Sequence, residues 1–262
     1  MNNEKIIGVV GGLGPYAGID LCGKIMDQTE AKKDQEHLAV ALLSIPGRIE
    51  DRTSFLLGKS NINPAFAILE TIEMLEGLGA SVIGIPCNAS HCPEIFNIVE
   101  GSLRNNGRLK LINMIDEVGE YIKIHYPGLK NIGVMTVTGT YKSNIYNNTF
   151  EKKDLKVIKP SENVQNEIVH NAIYNPEFGI KARFNPVTEN SRRLLSEGIN
   201  HLKEMGAEAV VLGCTEMPLA IREKLRYGIP IIDSCLVLAR ALVREAAPHK
   251  LKPAGVEYLT VR

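Results

Sequence analysis

Two cysteines of this 262-residue chain stand in matching places. The stretches "GASVIGIPCNASH" (79–91) and "GAEAVVLGCTEMP" (206–218) each open with Gly-Ala and reach a cysteine eight residues after the glycine, at Cys87 and Cys214. Polar residues follow each thiol: Asn88, Ser90 and His91 after the first, Thr215 and Glu216 after the second. A free thiol titrates at about 8.5, so modest help from a cation or from backbone dipoles yields useful thiolate near neutral pH, and the protonated form is a competent acid. Two such groups on opposite faces of one carbon could remove a proton from one side and return it on the other, inverting the configuration. Free cysteine is also among the most buried residue types, and packing is the reading for Cys22, Cys92 and Cys235. The repeat and the polar residues behind it set Cys87 and Cys214 apart.

Positioning these thiols requires strands that end where they begin. Asn63-Pro64 reads as a helix start, with Ile68, Ile72 and Leu75 on one face and Gly77 and Gly79 at the end. Ser81 to Ile85 is then continuously apolar and β-branched, as a strand covered on both faces would be. The second half repeats the order: Asn185-Pro186 is the expected helix start, Leu194, Leu195, Leu202 and Met205 the expected apolar face, Gly206 the stop, and "EAVVLG" the strand. Two further pairs match. "KIIGVVGGLGP" and "NIGVMTVTGT" are apolar strands running into small-residue turns, while "LKLINMID" and "IPIIDSC" read as strands ending in Asp116 and Asp233. The predicted fold is therefore α/β, two similar lobes related by a pseudo-two-fold internal duplication, each a mainly parallel sheet flanked by helices. The boundary is placed near "HYPGLKN", giving lobes of residues 1–125 and 126–262. Ligands of open parallel sheets bind at the carboxyl ends of the strands, where both cysteines fall.

The 30 basic and 30 acidic residues balance, so no overall basic excess favours nucleic acid, and small molecules are the expected partners. No apolar run approaches the roughly 20 residues that span a bilayer and no secretory leader is visible, so a cytoplasmic location without membrane contact is expected. The five cysteines lack the paired spacing of zinc sites, so no metal is expected. "GGLGP" resembles part of a dinucleotide turn but lacks the third glycine, and no acidic residue ends the "VALLS" strand, so a small anion approaching the backbone at Gly12 is the better reading.

"PCNASH", "GCTEMP", "GGLGP" and the "DRT" of Asp51 to Thr53 together resemble the aspartate racemase family of the Asp/Glu racemase superfamily, over nearly the whole chain. The resemblance implies amino-acid racemisation without pyridoxal phosphate or other cofactor, an active site between two lobes, and a homodimer. It implies catalysis by Cys87 on the D-form and Cys214 on the L-form. Arg52 would bind a substrate carboxylate, and Lys181 in "FGIKA" matches a second carboxylate ligand. Asn88 and Thr215 would orient the α-carboxylate, with Gly12, Ala89, Thr140 and Glu216 completing the substrate site. The chain departs from the family pattern at Thr136-Val137, and "PGRIEDRT" offers Arg48 as a rival to Arg52. Glutamate, another amino acid or a hydantoin are alternative substrates; a two-lobed dicarboxylate-binding protein and a thiol redox protein are alternatives of other classes.

Overall fold

Strands and helices alternate along the chain and the apolar runs assemble into two sheets; the computed structural model describes residues 4–104 and 107–254. In the first sheet β1 (Ile6–Gly11), β2 (Val40–Ser44), β3 (Ala80–Gly84) and β4 (Lys110–Leu111) are all parallel, in the order β2-β1-β3-β4. The second contains β5 (Asn131–Thr136), β6 (Lys156–Ile158), β7 (Ala209–Gly213), β8 (Leu225–Arg226) and β9 (Ile229–Asp233), in the order β6-β5-β7-β9-β8, with only β8 antiparallel. Apart from β8 the strand orders correspond one to one. The duplication read from the sequence is thus a duplication of topology.

The first half carries α1 (Pro15–Gln28), α2 (Arg52–Leu56), α3 (Ala65–Gly77), α4 (Pro93–Leu103) and α5 (Met114–His125). Ile68, Ile72 and Leu75 of α3 are fully buried, as their spacing predicts, and the Asn63 side chain accepts a hydrogen bond from the Ala65 amide at 2.9 Å. The second half carries α6 (Thr138–Ser143), α7 (Ile145–Glu151), then α8 (Glu162–Val164) and α9 (Asn171–Tyr174) joined by a π-helical stretch Gln165–His170, followed by α10 (Glu189–Glu204) and α11 (Ser234–Ala246). Gly79 and Gly206 close the two matching helices with φ of +89° and +93°, a region glycine enters without steric cost.

The last helix of each half covers the other half's sheet. Ile115, Val118 and Ile122 of α5 pack with Ile132, Val134 and Ile232 of the second sheet, and Leu238 and Leu242 of α11 pack with Ile7, Val9 and Val82 of the first. Gly84 makes the second contact possible, since a Cβ there would lie 2.6 Å from Leu242 Cδ1. Lys24 on α1 reinforces the exchange, with its Nζ 2.5 Å from Asp20 and 2.6 Å from Asp233, the cap of α11.

Three local expectations are corrected. Helix α10 begins not at Asn185-Pro186 but at Glu189, because Thr188 supplies the side-chain acceptor for the Ser191 amide. Strand β4 ends at Leu111, not at Asp116: Asn113 caps α5 by accepting from the amides of Ile115 and Asp116, so Asn113, and not Asp116, corresponds to Asp233. Met205 lies just beyond the last turn of α10 and is 47% exposed, whereas Leu194, Leu195 and Leu202 are buried. Among the described residues no helix is long and apolar enough to cross a membrane.

Candidate active site

Both cysteines sit just past the carboxyl ends of the third strands of their sheets. After β3, Ile85 and Pro86 lead to Cys87 and the tight turn Asn88–His91; after β7, Cys214 follows Gly213 directly. They are 8% and 6% exposed. Hydrogen bonds across the halves hold the two turns together. Thr215 Oγ1 donates to the Pro86 carbonyl at 2.9 Å, and Asn88 accepts from the Tyr146 hydroxyl at 2.6 Å while donating to Ser234 Oγ at 3.2 Å. The Asn88 amide thus joins the halves while also standing in the cavity wall. His91 is buried with Nδ1 2.9 Å from the Cys87 carbonyl and its ring stacked on Phe96, and burial lowers its pKa, so it brings no positive charge to the thiols.

Cys87, Cys214, Arg52, Lys181, Ala89 and Glu216 line one cavity of about 20 Å3, with Asn88 and Thr215 also in its wall. That is room for about one water molecule, so a substrate enters only if something in this wall moves. A larger hollow, about 620 Å3 and lined by Lys24, Tyr121 and Arg240 among others, contains neither cysteine.

The structure separates the two candidate arginines. Arg48 is exposed, whereas Arg52, the first residue of α2, is buried at 6% exposure and reaches the cavity wall. Its Nη1 donates to the Glu50 carbonyl at 3.0 Å and its Nη2 to that of Leu13, while Nε has no partner. Burial opposes its charge, but the neighbouring Cys87 sulfur and Asp51 more than offset this and raise its pKa. Asp51 caps α2 through the Ser54 amide at 2.7 Å and accepts from the Tyr174 hydroxyl at 3.1 Å.

Around the second thiol the charges run the other way. Glu216 Oε2 lies 3.0 Å from Cys214 Sγ, and Oε1 lies 2.7 Å from Lys181 Nζ, which also stands 5.2 Å over the Tyr174 ring. Burial first, and the Glu216 carboxylate second, push the Cys214 thiol well above its ordinary range. Burial works against the charge of Glu216 too, yet Lys181 and the Cys214 thiol hold its pKa below the ordinary carboxylate value. Lys181 is raised in turn: burial opposes its charge most, but Glu216, Tyr174 and Cys214 together outweigh it.

Two expected residues lie elsewhere. Gly12 has φ of +83° and packs against the strand-end turn after β2, where a Cβ would come 2.9 Å from the amide nitrogens of Ile45 and Pro46. Gly14 is the glycine that faces the site, because a Cβ there would overlap Glu216 Oε1. Thr140 lines a separate hollow of about 10 Å3 with Tyr146, and its neighbour Ser143 accepts from Cys92 Sγ at 3.2 Å. Burial pushes the Cys92 thiol up to about 12, in keeping with packing. Cys235 is fully buried, and Cys22 is half-buried. Tyr174, which ties α2 and Lys181 together, carries no sequence signal in "NAIYNPEF". Among the described residues no three His, Cys, Asp or Glu side chains converge as a metal would need.

Residues 10–242 match the Asp/Glu/hydantoin racemase family. The chain belongs to this family. Among solved structures, the aspartate racemase of Picrophilus torridus is 29% identical with a TM-score of 0.77, over 95% of this chain and 96% of that one. An aspartate racemase homologue from Pyrococcus horikoshii is 22% identical with a TM-score of 0.68, over 92% and 99%. Glutamate racemase of Francisella tularensis, solved with D-glutamate, is 16% identical with a TM-score of 0.65, over 97% and 85%. The last two likenesses are of fold. The same fold thus occurs in proteins named as racemases of aspartate and of glutamate.

Proposed function

We propose that this racemase interconverts L- and D-aspartate by proton transfer between two cysteines, without cofactor. The observation that carries this reading is the convergence of Cys87, Cys214, Arg52 and Lys181 on one cavity: two thiols for the proton and two cations for two carboxylates. With the Cys214 proton held by the Glu216 carboxylate, Cys87 is the base of the first half-reaction. The C–H bond of the α-carbon breaks toward Cys87, an S–H bond forms there, and the planar carbanion takes the Cys214 proton on its other face. The product leaves a Cys87 thiol and a Cys214 thiolate, the starting state for the opposite enantiomer. Arg52, with its unpartnered Nε, offers a donor to one carboxylate.

The test is a panel of L- and D-amino acids incubated with the protein and resolved by chiral chromatography. Aspartate should racemise from either side, with solvent deuterium entering the α-position. Faster inversion of glutamate would reassign the side chain, and inertness toward every member would refute the reading.

A further inference from the structure

The cavity is small because a side chain of the protein already fills it. Glu216 puts a carboxylate between Lys181 and Cys214, with one oxygen on each, and Arg52 also acts on its charge. Room for that carboxylate comes from Gly14, where any Cβ would overlap Oε1. Glu216 lies in the turn between β7 and the short helical turn Met217–Leu219, with φ of −82° and ψ of −25°, so its side chain can swing away by bond rotation without unwinding a helix. Lys181, the cation a substrate's second carboxylate would need, is thus already paired.

We propose that Glu216 is an internal stand-in for the substrate's side-chain carboxylate, and that a dicarboxylate displaces it from Lys181 on binding. This rests on the reading of the same site as an amino-acid racemase and names what makes it select acidic side chains. A ligand with a neutral side chain has nothing to exchange for Glu216, so the lysine stays paired and the cavity stays filled. A dicarboxylate replaces one ion pair by another of the same kind, which leaves no buried lysine uncompensated. The same exchange withdraws the carboxylate from Cys214 Sγ, so the thiol proton turns from Glu216 to the α-carbon.

Binding without turnover tests this independently of racemisation. Succinate, a dicarboxylate with no α-amino group, and butyrate, its monocarboxylate counterpart, are titrated calorimetrically into the wild type, Glu216→Gln, Lys181→Met and the double variant. Neutralising the competitor in Glu216→Gln should tighten succinate about tenfold, equivalent to about 1.4 kcal/mol, and leave butyrate unchanged. Lys181→Met should abolish the preference for succinate in both backgrounds. If Glu216→Gln fails to fold, Glu216→Asp, one methylene too short to hold both partners, should shift succinate in the same direction. Succinate affinity unchanged or weakened in the Glu216 variants that keep Lys181, a succinate preference that survives Lys181→Met, or no succinate binding by any of the proteins, overturns the proposal. A wild type that inverts no amino acid but shows the predicted succinate shifts would refute the racemase reading alone.

Discussion

Replacing Lys181 by methionine keeps an apolar stem and removes the charge, so it isolates what the lysine does for Glu216. The pair is close, 2.7 Å, and its side chains are 27% and 8% exposed. Removing one partner of a fully buried pair costs about 3–5 kcal/mol; with Lys181 a quarter exposed, about 2–3 kcal/mol is the expected loss at neutral pH. For a chain of this size that is a fall in Tm of about 5–10 °C. The pH dependence identifies the cause. In the wild type Glu216 has a depressed pKa, so its contribution is present above the unfolded carboxylate value of about 4.3 and is lost as pH falls through the folded value. In the variant, burial is opposed only by the Cys214 thiol and Arg52, so the folded pKa should move above the unfolded one. Its penalty is then largest at high pH and disappears as protonation becomes complete below about 4.3. Lys181 has a raised pKa, so its own contribution is complete below the unfolded lysine value of about 10.4 and stays constant across the range measured. Thermal melts of both proteins from pH 8 to pH 5 should show the gap in Tm narrowing toward acid. A gap that stays constant, or none at all, would refute the view that Lys181 is what keeps the buried carboxylate charged.

Cys87→Ser and Cys214→Ser should each lower racemisation by about a thousandfold or more, and the double variant should be little worse, because the pair acts as a unit; in heavy water each single variant should retain α-proton exchange for only one enantiomer, opposite in the two, as read by NMR. Arg52→Lys should lower kcat/KM toward aspartate about tenfold to a hundredfold through loss of the planar fork, and should also lower Tm, since Arg52 holds the Leu13 and Glu50 carbonyls; unchanged kinetics would remove Arg52 from the site. Gly14→Ala should displace the Glu216 carboxylate, lowering both activity and Tm, whereas Gly23→Ala within the helix that Gly14 precedes, where a Cβ meets nothing within 4 Å, should do neither.

What the sequence made legible was the part of the site that repeats. Each cysteine follows the third strand of its sheet, and a continuous β-branched run followed by a turn and a polar cluster is readable from one chain. The exchange of α5 and α11 between sheets was not readable, because an amphipathic helix reveals that one face is buried but not which sheet buries it. The sequence does not separate Asn113 from Asp116, because both are polar near a strand end and only the backbone decides which side chain meets the free amides. Gly12 and Gly14 are likewise indistinguishable in the sequence, since the difference is whether the missing Cβ faces Ile45 or Glu216.

The charges around the thiols break the symmetry that the repeat displays. Arg52 follows β2 of the first sheet, and Glu216 follows β7 of the second, where Asn88-Ala89 of the first half stands opposite Thr215-Glu216 and offers no carboxylate. Lys181 comes from an irregular stretch between α9 and α10 that has no equivalent in the first half. Duplication therefore supplies two equivalent thiols, and the residues outside it make them inequivalent: one beside a guanidinium, the other beside a carboxylate. Two-base inversion needs one sulfur protonated and the other not at each moment, and these unequal surroundings favour the state in which Cys214 holds the proton. A pattern search finds the pair through its symmetry, and the structure is needed to find what distinguishes its members.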